Sequence, residues 1–516
     1  MKILTSGQMK EIDRKTIEEI GIPGIALMEN AGIRIGEALK RKFPAPAAEH
    51  IVIVAGKGNN GGDGLVVARH LWNQGARPIV LLLASKNDVR GDAAVNLAAA
   101  LNMGIPVAEI SSLDAWSRHK KALSRATVII DAILGTGLLR SLDGLCARVV
   151  GDINASGAYK ISVDIPSGLS SDSSSIIGPC VKADLTVTLA APKIAHVLPP
   201  AEDYVGELVV APIGVPAILF DDPGLKLEMV ERQDVEPFLK KRKKDSHKGT
   251  YGHVLVVSGS LGKTGAAALA GKAALRMGAG LVTVATPASC LPMVARSMPE
   301  LMTEPLAETP EATIAAKALV RVLELLKGKE VLLLGPGIST NPSTAEFVLA
   351  LLPRVIVPMV IDADALNIIA ANPGVLGSLK KPAVLTPHPG EFARLLGLTV
   401  REVLANRLEL APAFARKHRV HLVLKGYRSL TASPDGRVFI NPTGNPGMAT
   451  GGSGDVLGGM IASQIAQEKD ICGAVLSAVY IHGLSGDLGA EDLGERALIA
   501  GDIIRFLPKA LKAMER

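Results

Sequence analysis

Aromatic residues are scarce in this chain and make up only 3% of its 516 residues. Grooves that bind nucleic acid usually combine basic residues on one face with aromatic side chains on which bases stack. The basic excess is also small, since 56 lysines and arginines face 50 acidic residues, and five of the basic residues form the single run 240–244. We interpret this run as a solvated linker or helix end, and we expect no nucleic-acid partner.

Cysteine is equally sparse, and long apolar runs are missing. The four cysteines, at 146, 180, 290 and 472, show no CxxC spacing, which argues against disulfides and zinc and is typical of a reducing compartment. No apolar run reaches the roughly 18 residues of a membrane span, and the segment 471–484 predicts a buried helix instead. The N-terminus becomes charged too early for a signal peptide. We therefore expect a cytoplasmic protein without a membrane partner.

Two nucleotide-binding motifs are absent as well. Residues 254–265 read VLVVSGSLGKTG, with Gly262 and Lys263 opening a predicted helix, but the first glycine of a phosphate-binding loop is replaced by Val257. No GxGxxG with a following ribose-binding acid accompanies the first strand, which excludes an ordinary NAD-dependent dehydrogenase. The question is therefore where in the chain a nucleotide is bound, if one is bound at all.

Short runs of Val, Ile and Leu alternate with Ala-rich segments of helical spacing. Runs such as IVIVAG (51–56) and VIIDAIL (128–134) are apolar throughout, which is typical of parallel strands covered on both faces. The pattern restarts after a charged stretch at 225–248, and a chain of this length needs more than one core. We predict two three-layer α/β/α domains, at 1–228 and 229–516.

Three loops of the first half carry candidate site residues. The loop GKGNNGGDG (56–64) contains five glycines in nine residues, and free N–H groups ahead of a helix form an anion site. Asp131 precedes a second glycine-rich loop, and Asp164 with Ser167 follows a third strand. Each Asp taken alone would be interpreted as a cap or turn residue. Three such loops at one sheet edge predict a common pocket.

These motifs resemble the epimerase domain for hydrated nicotinamide dinucleotides, from LMENAG (27–32) to ADLTVTLAAPK (183–193). The resemblance implies a Rossmann-like fold that interconverts the R and S hydrates of NADH and NADPH. It implies that Asp164 is the acid/base and that K⁺ is bound by Asn60, Asp131 and Ser167. The implied dinucleotide contacts are Asn59, Asn60, Gly61, Gly62, Asp63, Gly135, Thr136, Gly137, Leu138, Leu139, Arg140 and Ser141.

The loop NPGMATGGSGD (445–455) is the most informative stretch of the second half. Its glycines precede the apolar segment 456–466, which predicts a helix. Backbone N–H groups at such a helix start hold polyphosphate and stabilise the charge of phosphoryl transfer, and Asp455 is placed to take a proton from a substrate hydroxyl. This pattern is typical of a kinase without a Walker loop. The alternative is a glycine-rich turn with a capping Asp.

Together with HKGTYGHVLVVSGS, GPGIST, DADALN, TPHPGE and LKGYRS, this loop resembles the ribokinase-like NAD(P)H-hydrate dehydratase over residues 247–458. The resemblance implies that the hydrated cofactor contacts Ala266, Gly337, His388 and Asp455, with Asp455 catalytic. The implied contacts of the adenine nucleotide are Lys425, Gly426, Tyr427, Arg428, Ser429, Asn445, Pro446, Gly447, Met448, Ala449, Thr450, Gly451, Gly452, Ser453 and Gly454.

Several neighbouring residues have plainer interpretations. A His between prolines often only fixes a loop, although within TPHPGE we favour ligand contact for His388. Lys263 is interpreted as a surface lysine at a helix start. Asp362 and Asp364 either help to hold Mg²⁺ or cap the following helix, and we leave them out of the catalytic set.

The reaction implied by the resemblance is cofactor repair. Hydroxide is a poor leaving group, so phosphorylation of the C6 hydroxyl provides a phosphate that the ring nitrogen can expel, and Mg²⁺ on the phosphates is expected. The fused architecture implies ADP as phosphate donor, NADHX and NADPHX as substrates, and a homo-oligomer, either a tetramer or an octamer. The alternatives are a sugar or hydroxymethylpyrimidine kinase joined to a ligand-binding scaffold, or a scaffold role for the first half alone.

Overall fold

The structure, a computed structural model, describes residues 1–138 and 140–515. Contacts divide the chain into a unit of Lys2–Leu225 and a unit of Met1 with Lys226–Arg516. The division lies a few residues before the sequence-based position at 228, because Leu227–Met229 form a strand of the second unit. Both units are α/β, and the predicted class is confirmed.

The first unit contains a seven-stranded sheet in which every pair of neighbours is parallel. The strand order is β3-β2-β1-β4-β5-β6-β7, so the order reverses beside β1, where open parallel sheets form ligand crevices. The strands are β1 (Ile51–Ala55), β2 (Ile79–Leu82), β3 (Val107–Glu109), β4 (Val128–Ala132), β5 (Tyr159–Val163), β6 (Leu185–Leu189) and β7 (Glu207–Ala211).

Helices cover both faces of this sheet because alternate strand residues point to opposite sides. Ile51 and Ile53 pack with the helices of one face, whereas Val52 and Val54 pack with those of the other. The first face carries α2 (Gly24–Lys42), α3 (Asn59–Asn73) and α4 (Gly91–Asn102), and the second carries α5 (Leu113–His119), α6 (Lys121–Arg125) and α7 (Gly144–Ala155). The remaining α-helices of this unit are α1 (Ser6–Arg14) and α8 (Ile194–Val197).

The second unit contains a ten-stranded sheet with the order β11-β10-β9-β12-β13-β14-β15-β16-β17-β8. Neighbouring strands are parallel, except that β16 pairs antiparallel with both β15 and β17. The strands are β8 (Leu227–Met229), β9 (His253–Val257), β10 (Leu281–Pro287), β11 (Met302–Leu306), β12 (Val331–Leu334), β13 (Met359–Ile361), β14 (Ala383–Leu385), β15 (His421–Leu424), β16 (Leu430–Ala432) and β17 (Val438–Ile440).

The helices of the second unit bury one core around β9 and β12. Val254, Val256 and Leu333 pack there with the last three helices and with α10. The helices are α9 (Arg232–Val235), α10 (Thr264–Arg276), α11 (Leu291–Ser297), α12 (Leu319–Leu325), α13 (Pro342–Leu351), α14 (Asp364–Ala371), α15 (Pro389–Leu396), α16 (Val400–Ala405), α17 (Arg407–His418), α18 (Ser453–Gln467), α19 (Ile471–Leu493) and α20 (Ala500–Met514).

One helix, α19, is the single segment of the described residues that has the length and composition of a membrane span. It packs against α18 and α20, and 61% of its most apolar window is buried inside the fold. A core helix of a folded domain passes the same test of length and composition. The segment predicted as a buried helix from the sequence therefore occupies the core of the second unit.

Candidate active sites

The first unit contains a cavity of about 860 Å³ at the carboxyl ends of its strands. Small-molecule sites commonly have volumes of about 300–1,000 Å³. Of the predicted residues, the cavity wall includes Asn59, Asn60, Asp63, Gly135, Thr136, Gly137 and Asp164. The remaining predicted dinucleotide contacts that the structure describes lie off this wall, namely Gly61, Gly62, Leu138, Arg140 and Ser141. Leu139 lies outside the described residues.

The glycine-rich loop after β1 packs too closely to its neighbours for side chains. A Cβ at Gly61 would overlap the carbonyl oxygen of Gly56, and a Cβ at Gly56 would overlap that of Ile133. Helix α3 begins at Asn59, and its N-cap residue Gly58 offers no side-chain cap. The first N–H groups of α3 are therefore left to an anion in the cavity.

Asp131 and Ser167 form a buried hydrogen-bonded pair between the loops after β4 and β5. Asp131 Oδ1 accepts from the Ser167 hydroxyl at 2.6 Å, while Oδ2 accepts from the Ser167 N–H and the Ser162 hydroxyl at 2.9 Å. Burial raises the pKa of Asp131, and the hydrogen bonds from Ser167 oppose this rise. The Ser167 hydroxyl also lies 3.1 Å from the Leu134 carbonyl oxygen, which fixes the position of the β4 loop.

Asn60 meets the same loop at Gly135, where an added Cβ would lie 3.3 Å from Asn60 Oδ1. Asn60 Nδ2 is buried without a hydrogen-bond partner. A half-turn of the amide exchanges its nitrogen and oxygen, and would place an oxygen at that unpartnered position. Amide, carboxylate and hydroxyl oxygens are hard ligands. The donor set of Asn60, Asp131 and Ser167 therefore fits the monovalent cation that the resemblance implies.

Asp164 directly follows β5 in the left-handed backbone region, with φ of 63°. Its Oδ1 accepts a close hydrogen bond from the ammonium of Lys193, one from the Thr188 hydroxyl at 3.2 Å, and one from the Leu189 N–H at 3.1 Å. Burial is the largest single influence and favours the neutral acid, but the Lys193 ammonium and the hydrogen bond from the Leu189 N–H together hold the pKa of Asp164 below its ordinary value. The carboxylate is thus ionised inside the cavity.

Lys193 was not among the predicted site residues. It is fully buried, lines the cavity, and donates to the Thr188 hydroxyl at 2.9 Å as well as to Asp164. A lysine is almost never fully buried unless it is paired. The signal in the sequence was a lone lysine after an apolar strand, in LTVTLAAPK, but its partner lies 29 residues earlier.

Two further carboxyl groups line this cavity. Burial, with repulsion from Asp164, raises the pKa of Asp63 well above its ordinary value. Burial also raises the pKa of Asp13 to about 6, although the Lys193 ammonium opposes this rise. Asp13, on α1, was not predicted from the sequence. The cavity therefore combines an ionised carboxylate with carboxyl groups that hold their protons more strongly.

The second site is built around the loop before α18. Asn445 Oδ1 accepts from the Gly447 N–H at 3.0 Å, and Gly452 precedes the helix with φ of 94°. A Cβ at Gly452 would overlap Leu269. Because only glycine fits this conformation and this space, the N–H groups of the loop and of the first turn of α18 are presented at the helix N-terminus.

Helix α19 supports this loop at two places that the sequence analysis did not identify. Asp487 accepts from the Asn445 side chain and from the Gly444 N–H, each at 2.9 Å. His482 Nε2 lies 3.0 Å from the Ser453 carbonyl oxygen, and burial lowers the pKa of His482 to about 4. In the sequence, these two residues are visible only as a His and an Asp within a largely apolar helical segment.

Asp455, in the first turn of α18, belongs to a group of charged residues around Lys425. Lys425 Nζ donates to Asp362 Oδ1 at 2.8 Å and lies 3.9 Å from Glu391 Oε2. Although burial alone would lower the pKa of Lys425, these carboxylates raise it. Burial, with repulsion from Asp362, raises the pKa of Asp455 to about 7, and Lys425 opposes this rise. Asp455 is therefore poised to exchange a proton near neutrality.

Gly337 and Ala266 are brought together beside α10, since an added Cβ at Gly337 would lie 3.2 Å from Ala266 Cβ. Lys263, the N-cap residue of α10, is half exposed and donates to Asp364 Oδ2 at 3.1 Å. Asp364 is the first residue of α14 and also accepts from the Ser339 N–H at 2.8 Å.

His388 has a structural role at the start of α15. Its Nδ1 accepts from the N–H groups of Gly390 at 3.0 Å and Glu391 at 3.4 Å. The Glu391 side chain accepts in return from the His388 N–H at 2.8 Å, which completes a capping box. The imidazole is half exposed, so its outer edge is open to a ligand.

The predicted nucleotide segment 425–429 forms the turn between β15 and β16. Arg428 adopts a left-handed φ of 55° and donates to the Pro442 carbonyl at 3.0 Å. The Ser429 hydroxyl donates to the Gly426 carbonyl at 2.9 Å. The Tyr427 side chain is exposed, and the Arg428 guanidinium lies 5.2 Å from the centre of its ring.

Comparison with known families assigns each unit. The sequence model of the family described as "YjeF-related protein N-terminus" matches residues 24–195, and that described as "NAD(P)H-hydrate dehydratase" matches residues 254–509. The crystal structure of the ADP/ATP-dependent NAD(P)H-hydrate dehydratase from Bacillus subtilis, co-crystallised with ATP and Mg²⁺, is 32% identical; the match has a TM-score of 0.49 and covers 56% of this chain and 99% of that one.

Full-length relatives carry both units. The chain is 46% identical to the bifunctional NAD(P)H-hydrate repair enzyme Nnr of Moorella thermoacetica, over 100% of this chain and 97% of that protein. The enzyme of the same name from Thermofilum pendens is 40% identical, over 100% of this chain and 97% of that protein. That of Escherichia coli is 32% identical, over 96% of this chain and 91% of that protein. The chain therefore belongs to the family of bifunctional NAD(P)H-hydrate repair enzymes.

Proposed function

We propose that this chain returns hydrated NADH and NADPH to the intact cofactors in two steps, one in each unit. The first unit interconverts the R and S hydrates, and the second dehydrates the S form at the expense of ADP. Each site contains a carboxyl group with a perturbed pKa, Asp164 in the first unit and Asp455 in the second, and this observation supports the proposal. The chain is also related over its full length to repair enzymes.

In the first unit, Asp164 is the acid/base group. C6 of the hydrate carries a hydroxyl and the ring nitrogen, whose lone pair helps to break a bond at that carbon. Reversible loss of its configuration then needs a positioned proton acceptor and donor. The N-terminus of α3 and the loop at 135–141 bind the dinucleotide phosphates. When bound by Asn60, Asp131 and Ser167, K⁺ supplies a positive charge that orients the pocket.

In the second unit, Asp455 takes the proton of the C6 hydroxyl as the phosphoryl group arrives. The loop Asn445–Gly454 binds the nucleotide phosphates through its N–H groups, and the turn at 425–429 contacts the rest of the nucleotide. Lys425 favours the ionised form of Asp455 and so opposes the rise in the pKa of Asp455 that burial causes. The ring nitrogen then expels phosphate and restores the dihydronicotinamide. Ala266, Gly337 and His388 contact the hydrated cofactor.

Mg²⁺ would neutralise charge on the nucleotide phosphates in this site. Within the described residues, no group of three or more His, Cys, Asp or Glu side chains is arranged around a metal. Asp362 and Asp364 are each tied to a lysine. Such a donor set fits an ion that keeps several waters and is held mainly by substrate phosphates, so we expect Mg²⁺ to enter with the nucleotide.

The test is recovery of NADH from a mixture of both hydrates. The protein is incubated with the mixture, Mg²⁺ and either ADP or ATP, and the absorbance of intact NADH is followed at about 340 nm. Full recovery is expected, and the faster nucleotide identifies the donor. Recovery that stops once the S form is consumed would remove the activity assigned to the first unit. A stable phosphorylated product from a sugar or vitamin precursor would instead favour a small-molecule kinase.

A further inference from the structure

The cavity of the first unit contains a carboxyl group that the mechanism above does not use. Asp13 lies on α1, outside the sheet, and forms part of the cavity wall. Among the described residues, its carboxyl oxygens have no hydrogen-bond partner, whereas Asp164 in the same wall accepts from Lys193 and from the residues near it. Asp13 is half-buried, and its carboxyl oxygens are free to bond to a molecule in the cavity.

Helix α1 is fixed firmly enough to place Asp13 at this wall. Thr5 caps the helix in a capping box with Gln8. Leu4 donates to the Pro192 carbonyl at 3.0 Å and pairs with Lys193 in a parallel bridge. The segment that carries Asp13 is therefore hydrogen-bonded to the segment that carries the lysine of the Asp164 ion pair.

The charged groups that face Asp13 give it a different protonation state from that of Asp164. Lys193 attracts its carboxylate form, while Asp164 and Asp63 repel it. Burial is the largest influence and raises the pKa of Asp13 to about 6. Asp164 is ionised under the same conditions because Lys193 holds its pKa down. Two carboxyl groups whose environments separate their pKa values are the usual arrangement of an acid and a base in one site.

We propose that Asp13 is the second acid/base group of the epimerisation, serving the C6 hydroxyl while Asp164 serves a water molecule that attacks C6. This rests on the epimerase function proposed above for the first unit. Asp13 comes from a helix and Asp164 from the end of a strand, so a ring in the cavity is approached from two separate elements. Glycoside hydrolases that invert a sugar carbon use two carboxyl groups in the same division of labour.

The step balances as an exchange of water. Asp13 gives its proton to the C6 hydroxyl, the C6–O bond breaks, and water leaves as the nitrogen lone pair forms a C6=N bond. A water molecule then adds to C6 from the other face while Asp164 takes one of its protons, and the electron pair returns to the nitrogen. The configuration at C6 is inverted, and one proton has passed from Asp13 to Asp164. Exchange with solvent or the reverse reaction resets the pair.

The test compares Asp13→Asn with Glu18→Gln, which removes the same charge from an exposed residue of the same N-terminal segment. Interconversion of separated R and S hydrates is measured by chromatography, above the spontaneous rate. We expect Asp13→Asn to lower kcat by about 100-fold or more, within the usual contribution of a general acid, with little change in KM. Glu18→Gln keeps the rate of the parent protein. Asp13→Glu, which restores a carboxyl, recovers part of the loss.

Two further measurements separate catalysis from a structural role. The parent pH profile of kcat has a limb near pH 6, from the pKa of Asp13 at about 6, and Asp13→Asn lacks this limb. In water labelled with heavy oxygen, each new epimer formed by the parent protein carries one labelled oxygen at C6. Retention of the original oxygen would overturn the route through water loss.

The outcomes also distinguish this proposal from the one on which it rests. If the parent protein does not interconvert the hydrates, the epimerase function itself fails. If the parent protein is active and Asp164→Asn is not, while Asp13→Asn keeps the parent rate, only the role of Asp13 fails. Urea unfolding of the first unit, measured for the parent protein and each variant, reports whether that unit has folded.

Discussion

Asp164 is held in a backbone conformation that residues with side chains rarely adopt. Its φ of 63° lies in the left-handed region, and such conformations cost roughly 1–3 kcal/mol unless neighbouring contacts impose them. Here the contacts are visible, since Lys193, Thr188 and the Leu189 N–H all donate to the same carboxylate oxygen. The backbone conformation aims the carboxylate at the cavity, and the ion pair keeps it charged.

Lys193→Met therefore leaves a buried carboxylate without its counter-ion. We expect the first unit to lose about 3–5 kcal/mol of unfolding free energy, as for other buried pairs from which one partner is removed. The pKa of Asp164 then rises above its unfolded value, so the loss is small below pH 4 and grows as pH rises through the new pKa. Urea unfolding at several pH values measures this.

The matched control is the double variant Lys193→Met/Asp164→Asn, in which no buried charge remains. We expect it to recover most of the lost stability at pH 8 while staying inactive as an epimerase. Equal stability of the single and double variants at that pH would show that Lys193 stabilises through packing and not through its charge.

As pH rises through 7, ionisation of Asp455 should raise the rate of dehydration and lower the stability of the second unit. With a pKa of about 7, it acts as a base only when ionised, so dehydration of S hydrate should rise through pH 7 and level off above it. Its folded pKa exceeds the unfolded value, so its neutral form stabilises the unit below about pH 4 and this contribution is lost as pH rises through 7.

Asp455→Asn should accordingly be inactive and yet more stable than the parent protein at pH 8, by a few kcal/mol at most. The gain should vanish at acidic pH, where both side chains are neutral. Thermal unfolding at about pH 3.5 and at pH 8 checks this, and equal melting temperatures of the two proteins at pH 8 would contradict it.

At the scale of elements, α18 lies unusually close to α10. A Cβ at Gly459 would overlap the carbonyl oxygen of Ala270, so the two helices approach through backbone atoms. Asp455 lies in the first turn of the same helix. The spacing of these helices therefore affects the position of Asp455, the proposed acid/base residue of the second unit.

Gly459→Ala should force the two helices apart. We expect it to destabilise the second unit by about 1–3 kcal/mol, as overpacking does, and to lower the dehydration rate. The control is Gly151→Ala, also within a helix but with open space around it, which should stabilise the first unit by up to about 1 kcal/mol. Denaturant unfolding followed separately for the two units measures both. A stabilising Gly459→Ala would mean that the interface has room to adjust.

The sequence predicted the long apolar strands and the loops that follow them. The runs at 51–56 and 128–134 match β1 and β4 within two residues. The three-residue strands β16 and β17 were not predicted, because so short a run has no recognisable period. Asp164 was found because it ends a strand. Lys193 and Asp13 were not, since only the tertiary fold brings distant segments of the chain to one cavity.

At the scale of the whole molecule, the residues proposed for each site all belong to one unit. The cavity wall is formed entirely by residues 9–213, and the second site by residues 263–487. Substrate released by one unit can therefore be used by the second unit of another chain.

An equal mixture of Asp164→Asn and Asp455→Asn proteins should recover NADH from both hydrates, although Asp164→Asn alone recovers only the S form, apart from spontaneous interconversion. Asp455→Asn alone should recover none. NADH absorbance with ADP measures all three samples. A mixture that recovers no more R form than Asp164→Asn alone would mean that the S hydrate does not pass through solution.

The strand order of each sheet determines when during translation that sheet can be completed. All strands of the first sheet have been synthesised by Ala211, and none of them pairs with a later segment. By contrast, β8 is made immediately afterwards but pairs with β17, about 200 residues further along. The edge of β8 therefore stays unpaired until β17 has been synthesised, and other nascent chains can pair with it during that interval. We expect crowding of nascent chains to lower the yield of folded protein without changing the stability of the finished chain.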